Sequence, residues 1–438
     1  MITKSKRRPK KVDQYPIVTL PNGIRVVAAP QKERQSVSLG IWVGVGGRDE
    51  QVRTAGISHF LEHIVFKGTH TRTANQIKES VEGVGGSLNA FTSEEYTCFL
   101  AKASYKHFES VFDVLSDMVL NASIKEEDVK KERTVIMEEI KMTQDQPSHL
   151  VDENLTEILW PEHPLGRPLA GTLDTVGALT RENLVAYRDR YYEPGLITVV
   201  AAGNVTQKAL LKATELRFKG AGRGTVKDLE LFSGLQNKSR VKIFKKDTEQ
   251  VHLALGLHTF PKEHPDQYAL DVLSVVLGGN MSSRLFNEVR EERGLAYDIG
   301  AFVRRFQETG AFVVSAGVDN HKYDEALKVI IGELDKVTRQ PVGADELKRS
   351  KEFYLGQLEL GLENSMSQML WVGENVVSLG RCKTSEEVVE HVEKVSAEDV
   401  RRVAKGLFKS KGLNLALVGA IDPEREKGLG DLLSFSGI

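Results

Sequence analysis

The sequence predicts an α+β fold of two duplicated domains, each a mixed, largely antiparallel sheet with helices packed on one face. Three observations support this prediction: the chain length, a long internal repeat, and an irregular alternation of strand and helix patterns. At roughly 100–200 residues per domain, a chain of 438 residues exceeds what one hydrophobic core usually organises. Short strand pairs next to long helices fit this class better than a doubly wound parallel fold.

The first repeated element is a strand. Residues 37–45, VSLGIWVGV, alternate apolar with small or polar residues, so we expect a half-buried strand with one apolar face. The segment VHLALGL at 251–257 has the same period and begins 214 residues later (251 − 37 = 214). So long a period indicates two copies of one domain rather than a solenoid of short repeats.

Two further segment pairs repeat, and a linker separates the copies. A strand, a polar turn and an amphipathic helix begin at Thr97 and again at Ala311 (311 − 97 = 214), and similar closing strands begin at Gly195 and Gly412 (412 − 195 = 217). The glycine-rich, polar stretch between the copies has no strong apolar period. The predicted organisation is a basic disordered leader at 1–15, a first domain at 16–218, a linker at 219–240 and a second homologous domain at 241–438.

Composition excludes several classes of protein. The 40% hydrophobic and 27% charged residues are typical of a globular protein, and the net charge of −2 gives no overall attraction to nucleic acid or membrane. Cys98 and Cys382 are too few and too distant for a disulfide framework, which favours a reducing compartment. No apolar stretch of signal-peptide length follows the basic N-terminal residues, and no apolar run has the length of a membrane span. We expect a bacterial-type cytoplasmic location, with an organellar matrix as the minority interpretation.

The stretch GISHFLEHIVFKGT at 56–69 places three titratable groups in an otherwise apolar helix pattern. On a helix, His59 and His63 project from one face, with Glu62 in the same arc of about 100°. Two imidazoles at i and i+4 can reach one divalent ion, and zinc favours nitrogen ligands. Glu62 is offset in angle and could reach a water molecule instead of the metal.

The second copy provides an internal control. Adding 214 to positions 59, 62 and 63 gives Leu273, Val276 and Leu277, which are all apolar. The fold itself therefore does not require the titratable groups. Because unpaired buried charges cost several kcal/mol, a purely structural role for them is disfavoured. We expect the first domain to be the zinc-binding, catalytic one and the second to be metal-free.

A catalytic zinc usually has three protein ligands, and the third is expected in KKERTVIMEEIKM at 130–142. Glu132 and Glu139 are seven residues apart and lie on one helix face. Glu139 could bind the metal, and Glu132 could orient a neighbouring ligand. Spacing alone also permits a solvated acidic face, and it does not exclude Glu138.

The order H-x-x-E-H inverts the common H-E-x-x-H zinc motif. HFLEH followed by FKGT resembles the pitrilysin-type inverted-zincin metallopeptidases, which include mitochondrial processing peptidases, insulin-degrading enzyme and single-chain bacterial processing proteases. The resemblance covers nearly the whole chain. Glu139 follows His63 by 76 residues (139 − 63 = 76) and Glu132 by seven, similar to the family's third ligand and the glutamate before it. The resemblance thus implies Glu139 as the third ligand.

Two other segments resemble family elements. GGSLNAFTSEEYTCF at 85–99 is similar to the edge strand on which these peptidases bind an extended peptide, and it implies Asn89 and Ala90 as substrate-binding positions. REERGLAY at 290–297 resembles the family's arginine–tyrosine segment. The resemblance implies that Arg290 holds a substrate carbonyl or backbone and that Tyr297 donates to the oxyanion.

Together these features predict a zinc metalloendopeptidase that cleaves extended peptides or unfolded segments and carries one Zn²⁺ per chain. His59, His63 and Glu139 would hold the ion, and Glu62 would take a proton from the attacking water. Manganese or cobalt could occupy such ligands. The alternatives are a catalytically silent structural or assembly subunit of the same fold and, less favoured, a peptide-binding module with structural zinc.

The resemblance also implies an assembly. The long family members enclose peptide in four domains, and a two-domain chain could reach four by forming a two-fold homodimer. We expect Arg290 and Tyr297 of one protomer to serve the zinc of the other. The arrangement within one protomer remains open, because the sequence contains no distances.

Overall fold

The computed structural model describes residues 14–219, 227, 230–234 and 236–435. Residues 1–13 of the predicted leader and residues 220–226, 228–229 and 235 of the predicted linker lie outside the described residues. The fold class is confirmed: the described chain forms two mixed sheets with helices around them.

The first sheet has six strands in the order β1-β2-β6-β3-β5-β4. The pairing of β2 with β6 is parallel and the other pairings are antiparallel. Strand β4 lies at the edge of this sheet. The strands are β1 (Val18–Thr19), β2 (Arg25–Pro30), β3 (Ser36–Val43), β4 (Ser87–Thr92), β5 (Thr97–Ser104) and β6 (Ile197–Gly203).

The second sheet repeats the first. Its order, β7-β11-β8-β10-β9, corresponds strand for strand to β2-β6-β3-β5-β4, and the pairing of β7 with β11 is again parallel. Strand β9 takes the edge place that β4 has in the first sheet. The strands are β7 (Arg240–Lys245), β8 (Gln250–Thr259), β9 (Ala296–Arg305), β10 (Gly310–Asp319) and β11 (Asn414–Gly419). The duplication read from the 214-residue period therefore has a direct structural counterpart.

Eight α-helices come from the first half of the described chain and seven from the second. The first eight are α1 (Ile57–Ile64), α2 (Ala74–Glu82), α3 (Phe108–Asn121), α4 (Glu126–Asp145), α5 (Pro147–Leu159), α6 (Leu173–Ala178), α7 (Arg181–Tyr191) and α8 (Gln207–Arg217). The others are α9 (Gln267–Gly278), α10 (Tyr323–Arg339), α11 (Ala344–Gly361), α12 (Ser365–Leu379), α13 (Ser385–Lys394), α14 (Ala397–Leu407) and α15 (Glu426–Leu432). No helix among the described residues is both long and apolar enough to cross a membrane.

Each half contributes one helix to the sheet of the other half. Helix α5 packs against β7, β8 and β11 of the second sheet, with Leu155 and Leu159 in the shared apolar cluster. Helix α12 packs with Met369 and Val376 against β2, β3 and β6 of the first sheet. The two largest apolar clusters combine residues of each sheet with residues of the other helices of the same half. The bounds 16–218 and 241–438 stay a prediction, and the two halves are tied together by this exchange.

The exchange corrects one expectation about β3. The alternating pattern predicted a half-buried strand, but residues 37–43 are all buried. The second face is covered because α12 approaches closely: a Cβ at Gly40 would lie 2.4 Å from Met369 Sδ, and a Cβ at Gly373 would lie 2.2 Å from the Trp42 ring. Both glycines are therefore needed where helix and strand meet.

Candidate metal centre

Helix α1 begins at a left-handed glycine and is capped by a buried carboxylate. Gly56 has φ 93°, and a Cβ there would lie 2.5 Å from the carbonyl oxygen of Ala170. Glu50 accepts hydrogen bonds from the backbone N–H groups of Gly56 (2.7 Å) and Ser58 (2.8 Å). Burial raises the pKa of Glu50 to about 7, while these hydrogen bonds act in the opposite direction. The cap fixes the start of the helix that carries the predicted ligands.

The structure brings His59, His63 and Glu139 together. The two imidazole rings project from one side of α1, with centroids 4.7 Å apart. Glu139, from the packed helix α4, places Oε1 3.7 Å from His59 Nε2 and Oε2 3.6 Å from His63 Nε2. One potential ligand atom from each residue lies within 4.8 Å of the others, and this is the metal-type cluster found among the described residues.

The donor set fits zinc. Two ligands that each lie about 2.0–2.1 Å from a tetrahedral ion are separated by about 3.3 Å, so the observed spacings require only small adjustments. Burial, and secondarily the neighbouring His63, lowers the pKa of His59 to about 4. The imidazole is therefore neutral near pH 7, which is the form that binds metal.

Glu132 supports the cluster from behind His63. Its Oε2 lies 3.2 Å from His63 Nδ1, and its Oε1 lies 2.6 Å from Lys67 Nζ. The carboxylate is buried, and the Lys67 ammonium compensates its charge. A carboxylate on the far nitrogen fixes the tautomer that presents Nε2 to a metal. The structure thus places Glu132 where the sequence analysis expected an orienting residue.

Glu62 lies beside the cluster and contacts the edge strand. Its Oε2 accepts a hydrogen bond of 2.6 Å from the hydroxyl of Thr92, the last residue of β4. Burial raises the pKa of Glu62, and the Thr92 hydrogen bond partly offsets this effect. One carboxylate oxygen is therefore held by the protein, which orients the group.

The predicted substrate-binding positions lie in β4, which pairs with β5 on one side and is the sheet edge on the other. Asn89 is exposed and Ala90 is half-buried. The backbone N–H of Ala90 donates to Asn89 Oδ1 at 2.9 Å. A peptide strand that paired at this point would compete with the Asn89 side chain for that N–H.

A cavity of about 820 Å³ connects the cluster with the second half. His59, Thr92 and Glu139 lie in its wall on the first-half side, and Phe302 and Arg304 of β9 lie in its wall on the second-half side. His59 and Glu139 are therefore accessible to a molecule that enters between the halves.

Arg290 and Tyr297 are neighbours. Neither is among the described residues that line this cavity. Arg290 belongs to a π-helical turn at Phe286–Glu291, and its Cζ lies 5.1 Å from the centroid of the Tyr297 ring. Tyr297, in β9, is 76% exposed. The structure brings these two residues to each other, with Arg290 half-buried and Tyr297 exposed.

Sequence reasoning did not identify three residues that contribute to the site: Glu50, Lys67 and Thr92. Thr92 could have been found, because it lies two positions after Ala90 in the same strand and so shares its face. Lys67 lies four residues after His63, a spacing that also keeps neighbours together where a helix continues. No local pattern points to Glu50, which reaches α1 through a loop.

Replacing Glu132 is expected to weaken zinc binding about 10–100-fold, because residues that orient a metal ligand typically contribute this much. Glu132→Gln keeps the shape of the side chain but removes the negative charge that contacts both His63 and Lys67. Competition with a chromophoric chelator measures the affinity. The matched control is Glu138→Gln on the same helix, since Glu138 is exposed and bonds to Lys141 at 2.7 Å. Equal zinc affinity in both variants would contradict the role of Glu132.

Comparison with known proteins places these features in a family. Residues 25–173 match the family model described as insulinase (peptidase family M16), and residues 178–354 match that of the peptidase M16 inactive domain. A relative from Bacillus subtilis strain 168, named uncharacterized zinc protease YmxG, is 37% identical over 403 residues. That alignment covers 91% of this chain and 97% of the relative.

Solved structures give the same architecture. The crystal structure of a protease from Helicobacter pylori has 25% sequence identity and a TM-score of 0.88, covering 93% of this chain and 100% of that chain. A chain of complex III2 from Candida albicans with Inz-5 bound has 18% identity and a TM-score of 0.84, covering 96% and 99%. At 18% identity the likeness concerns the fold alone.

Proposed function

The chain belongs to the insulinase family of peptidases, M16, and from this premise we propose that it is a zinc-dependent endopeptidase acting on extended peptides or unfolded segments. The observation that carries the proposal is the convergence of His59, His63 and Glu139, with Glu62 beside them, under an open sheet edge. The cavity that reaches this cluster supports access of a substrate.

The catalytic roles follow from position and chemistry. Zinc held by the two imidazoles and Glu139 would supply Lewis acidity, lowering the pKa of water and polarising a carbonyl group. Glu62 accepts the proton of the attacking water through the carboxylate oxygen that Thr92 does not hold, and later returns it to the leaving amine. Glu132 keeps His63 in the tautomer that binds the ion.

Strand β4 is proposed to bind the substrate by adding it as a further strand. Main-chain hydrogen bonds at Asn89 and Ala90 would fix an extended peptide next to Glu62, because Thr92 of the same strand contacts that base. A silent structural subunit of the same fold is not favoured, since each predicted ligand is present and brought together. A bacterial cytoplasmic location, suggested by the Bacillus relative, is part of the proposal.

The assembly is proposed to be a homodimer. Tyr297 is exposed and the half-buried Arg290 lies beside it, and in a two-fold pair they could face the zinc ligands of the other protomer. There the guanidinium would hold the peptide backbone and the phenol would donate to the developing oxyanion.

Unfolded substrate is expected to be cleaved on the order of 10³-fold faster than the same sequence in a stable fold, because a domain stable by about 5 kcal/mol rarely opens a segment. A small reporter domain and a destabilised variant with the same cleavage site make the comparison. Zinc content and cleavage of a peptide library are measured on the same preparation.

Proline near the cleavage site should slow hydrolysis, because it lacks an N–H for strand pairing. Equal rates for the folded and unfolded forms would refute edge-strand recognition, and absence of peptide cleavage by the zinc-loaded protein would refute the proposed function.

A further inference from the structure

A second cavity, distinct from the one at the metal ligands, lies where α12 crosses the second half. Its volume is about 270 Å³, and α9, β9 and α12 contribute to its walls. Tyr268, Tyr354 and Trp371 form an aromatic part of the lining. Three cationic side chains, Lys262, Arg305 and Lys383, face the same space, together with the carboxylates of Asp271 and Glu374.

Lys383 is the least compensated of the three cations. It is 8% exposed, and its ammonium donates to a neutral acceptor, Gln267 Oε1, at 2.8 Å. Among the described residues its nearest carboxylate oxygen is Glu263 Oε1 at 4.0 Å. That oxygen already accepts two hydrogen bonds from Arg381, at 2.7 and 3.1 Å. Burial lowers the pKa of Lys383, Glu263 and Glu387 act in the opposite direction, and Arg381 and Arg305 lower it further.

The other two cations, Arg305 and Lys262, are each paired with a carboxylate at close range. Arg305 bonds to the buried Asp271, which also accepts from Tyr354 at 3.2 Å. Lys262 lies 3.3 Å from Glu95 and 3.7 Å from Glu374. Glu95 also bonds to Arg48, but Arg48 has a second carboxylate in Glu308 at 2.6 Å, so the charge of Lys262 is compensated. Lys383 is therefore the cation of the cavity wall whose close partner is neutral and whose carboxylate lies farthest away, at 4.0 Å.

We propose that this cavity binds a small organic or inorganic oxyanion carrying a phosphate or carboxylate group. Burying an ammonium without a close counter-charge is costly, and an anion next to Lys383 would offset that cost. Arg305 adds a planar group suited to phosphate and carboxylate oxygens. The aromatic wall can accommodate the apolar part of an organic anion. This proposal does not depend on the proposed peptidase activity.

The site also adjoins the metal cavity. Arg305 lines both cavities, and α12 carries Trp371 and Glu374 on this side while Met369 and Val376 pack on the first sheet. A bound anion would therefore connect α9, β9 and α12, and it should stabilise the whole protein by preferential binding to the folded state.

Binding is tested by calorimetry and thermal denaturation of the full chain with inorganic phosphate and with succinate, against sodium chloride at matched ionic strength. We expect saturable binding of at least one of them and a raised Tm. Lys383→Gln should raise Kd about 10–100-fold, since a hydrogen bond to a charged group is lost. Lys383→Arg should retain binding. Lys348→Gln, at an exposed position of α11, is the matched control and should bind as the unchanged protein does.

The outcomes separate the sources of the anion. Binding of phosphate alone identifies a phosphate ligand, and binding of succinate alone identifies a carboxylate ligand. If neither anion binds, or if Lys383→Gln binds as tightly as Lys348→Gln, the proposal is wrong. If Lys383→Gln does not fold, the site is tested by amide hydrogen exchange of the unchanged protein with and without the anion. The anion must slow exchange in residues 371–383, and protection confined to other segments would overturn the site.

Discussion

Glu62→Gln is expected to retain zinc and to lose peptidase activity by a factor on the order of 10²–10⁴, the usual contribution of a general base. The glutamine amide has nearly the same shape, and its oxygen can still accept the hydrogen bond from Thr92. The edge strand and the ligand cluster should therefore stay in place. What the amide cannot do is accept the proton of the attacking water.

The experiment needs metal content and turnover from the same preparation. Glu138→Gln is the matched control, because Glu138 is a solvent-exposed carboxylate that bonds to Lys141, and it should retain both zinc and activity. His63→Ala is the opposite control, since removal of a ligand should release most of the metal. A metal-free Glu62→Gln protein, or one with near-native turnover, would show that Glu62 does not have the assigned role.

Most of the ligand set could be predicted because it depends on local periodicity. Positions 59 and 63 are one helical turn apart, and positions 132 and 139 are two turns apart, so each pair must share a face wherever a helix forms. The sequence spacing left Glu138 open as an alternative to Glu139. The structure distinguishes the two, since Glu139 lies at the histidines while Glu138 is bonded to Lys141. The catalytic assignments themselves stay predictions.

The duplicated fold could also be predicted, but the way its halves join could not. A repeat shows that two segments adopt the same fold, and the equal strand orders confirm this. An amphipathic helix pattern does not indicate which sheet the helix will cover. The sequences of α5 and α12 therefore do not reveal that each packs on the sheet of the other half. The same limit explains β3, whose second buried face exists because α12 packs on Trp42.

Long-range capping and cross-half contacts are the other features that sequence patterns do not reveal. Glu50 reaches the start of α1 through a loop. Arg48 joins Glu95 of the first half to Glu308 of the second, at 2.7 and 2.6 Å. These contacts depend on how separate segments meet in space, whereas periodicity reports only on neighbours along one element.

Mixing two inactive variants is expected to restore activity if Arg290 and Tyr297 serve the partner's zinc. Tyr297→Phe alone should lose on the order of 10²–10³ in turnover, as expected for removal of an oxyanion donor. Glu62→Gln alone lacks the base. In a mixed dimer, the Tyr297→Phe protomer still has Glu62, and its Glu62→Gln partner supplies an intact Tyr297. Each mixed dimer therefore has one complete site.

With random exchange, half of the dimers are mixed and each has one complete site of two, so about a quarter of the unmodified activity should return. Differently tagged subunits and native mass spectrometry establish that mixed dimers form. The double variant Glu62→Gln/Tyr297→Phe, mixed with either single variant, is the control and should restore nothing. In the alternative arrangement, where Tyr297 serves the zinc of its own chain, each protomer of a mixed dimer lacks one essential group. Mixed dimers without activity would therefore exclude the trans arrangement. A chain that is active as a monomer would exclude the proposed dimer. In such a monomer Tyr297, which is exposed near the start of an edge strand, would have to reach the ligands of its own protomer.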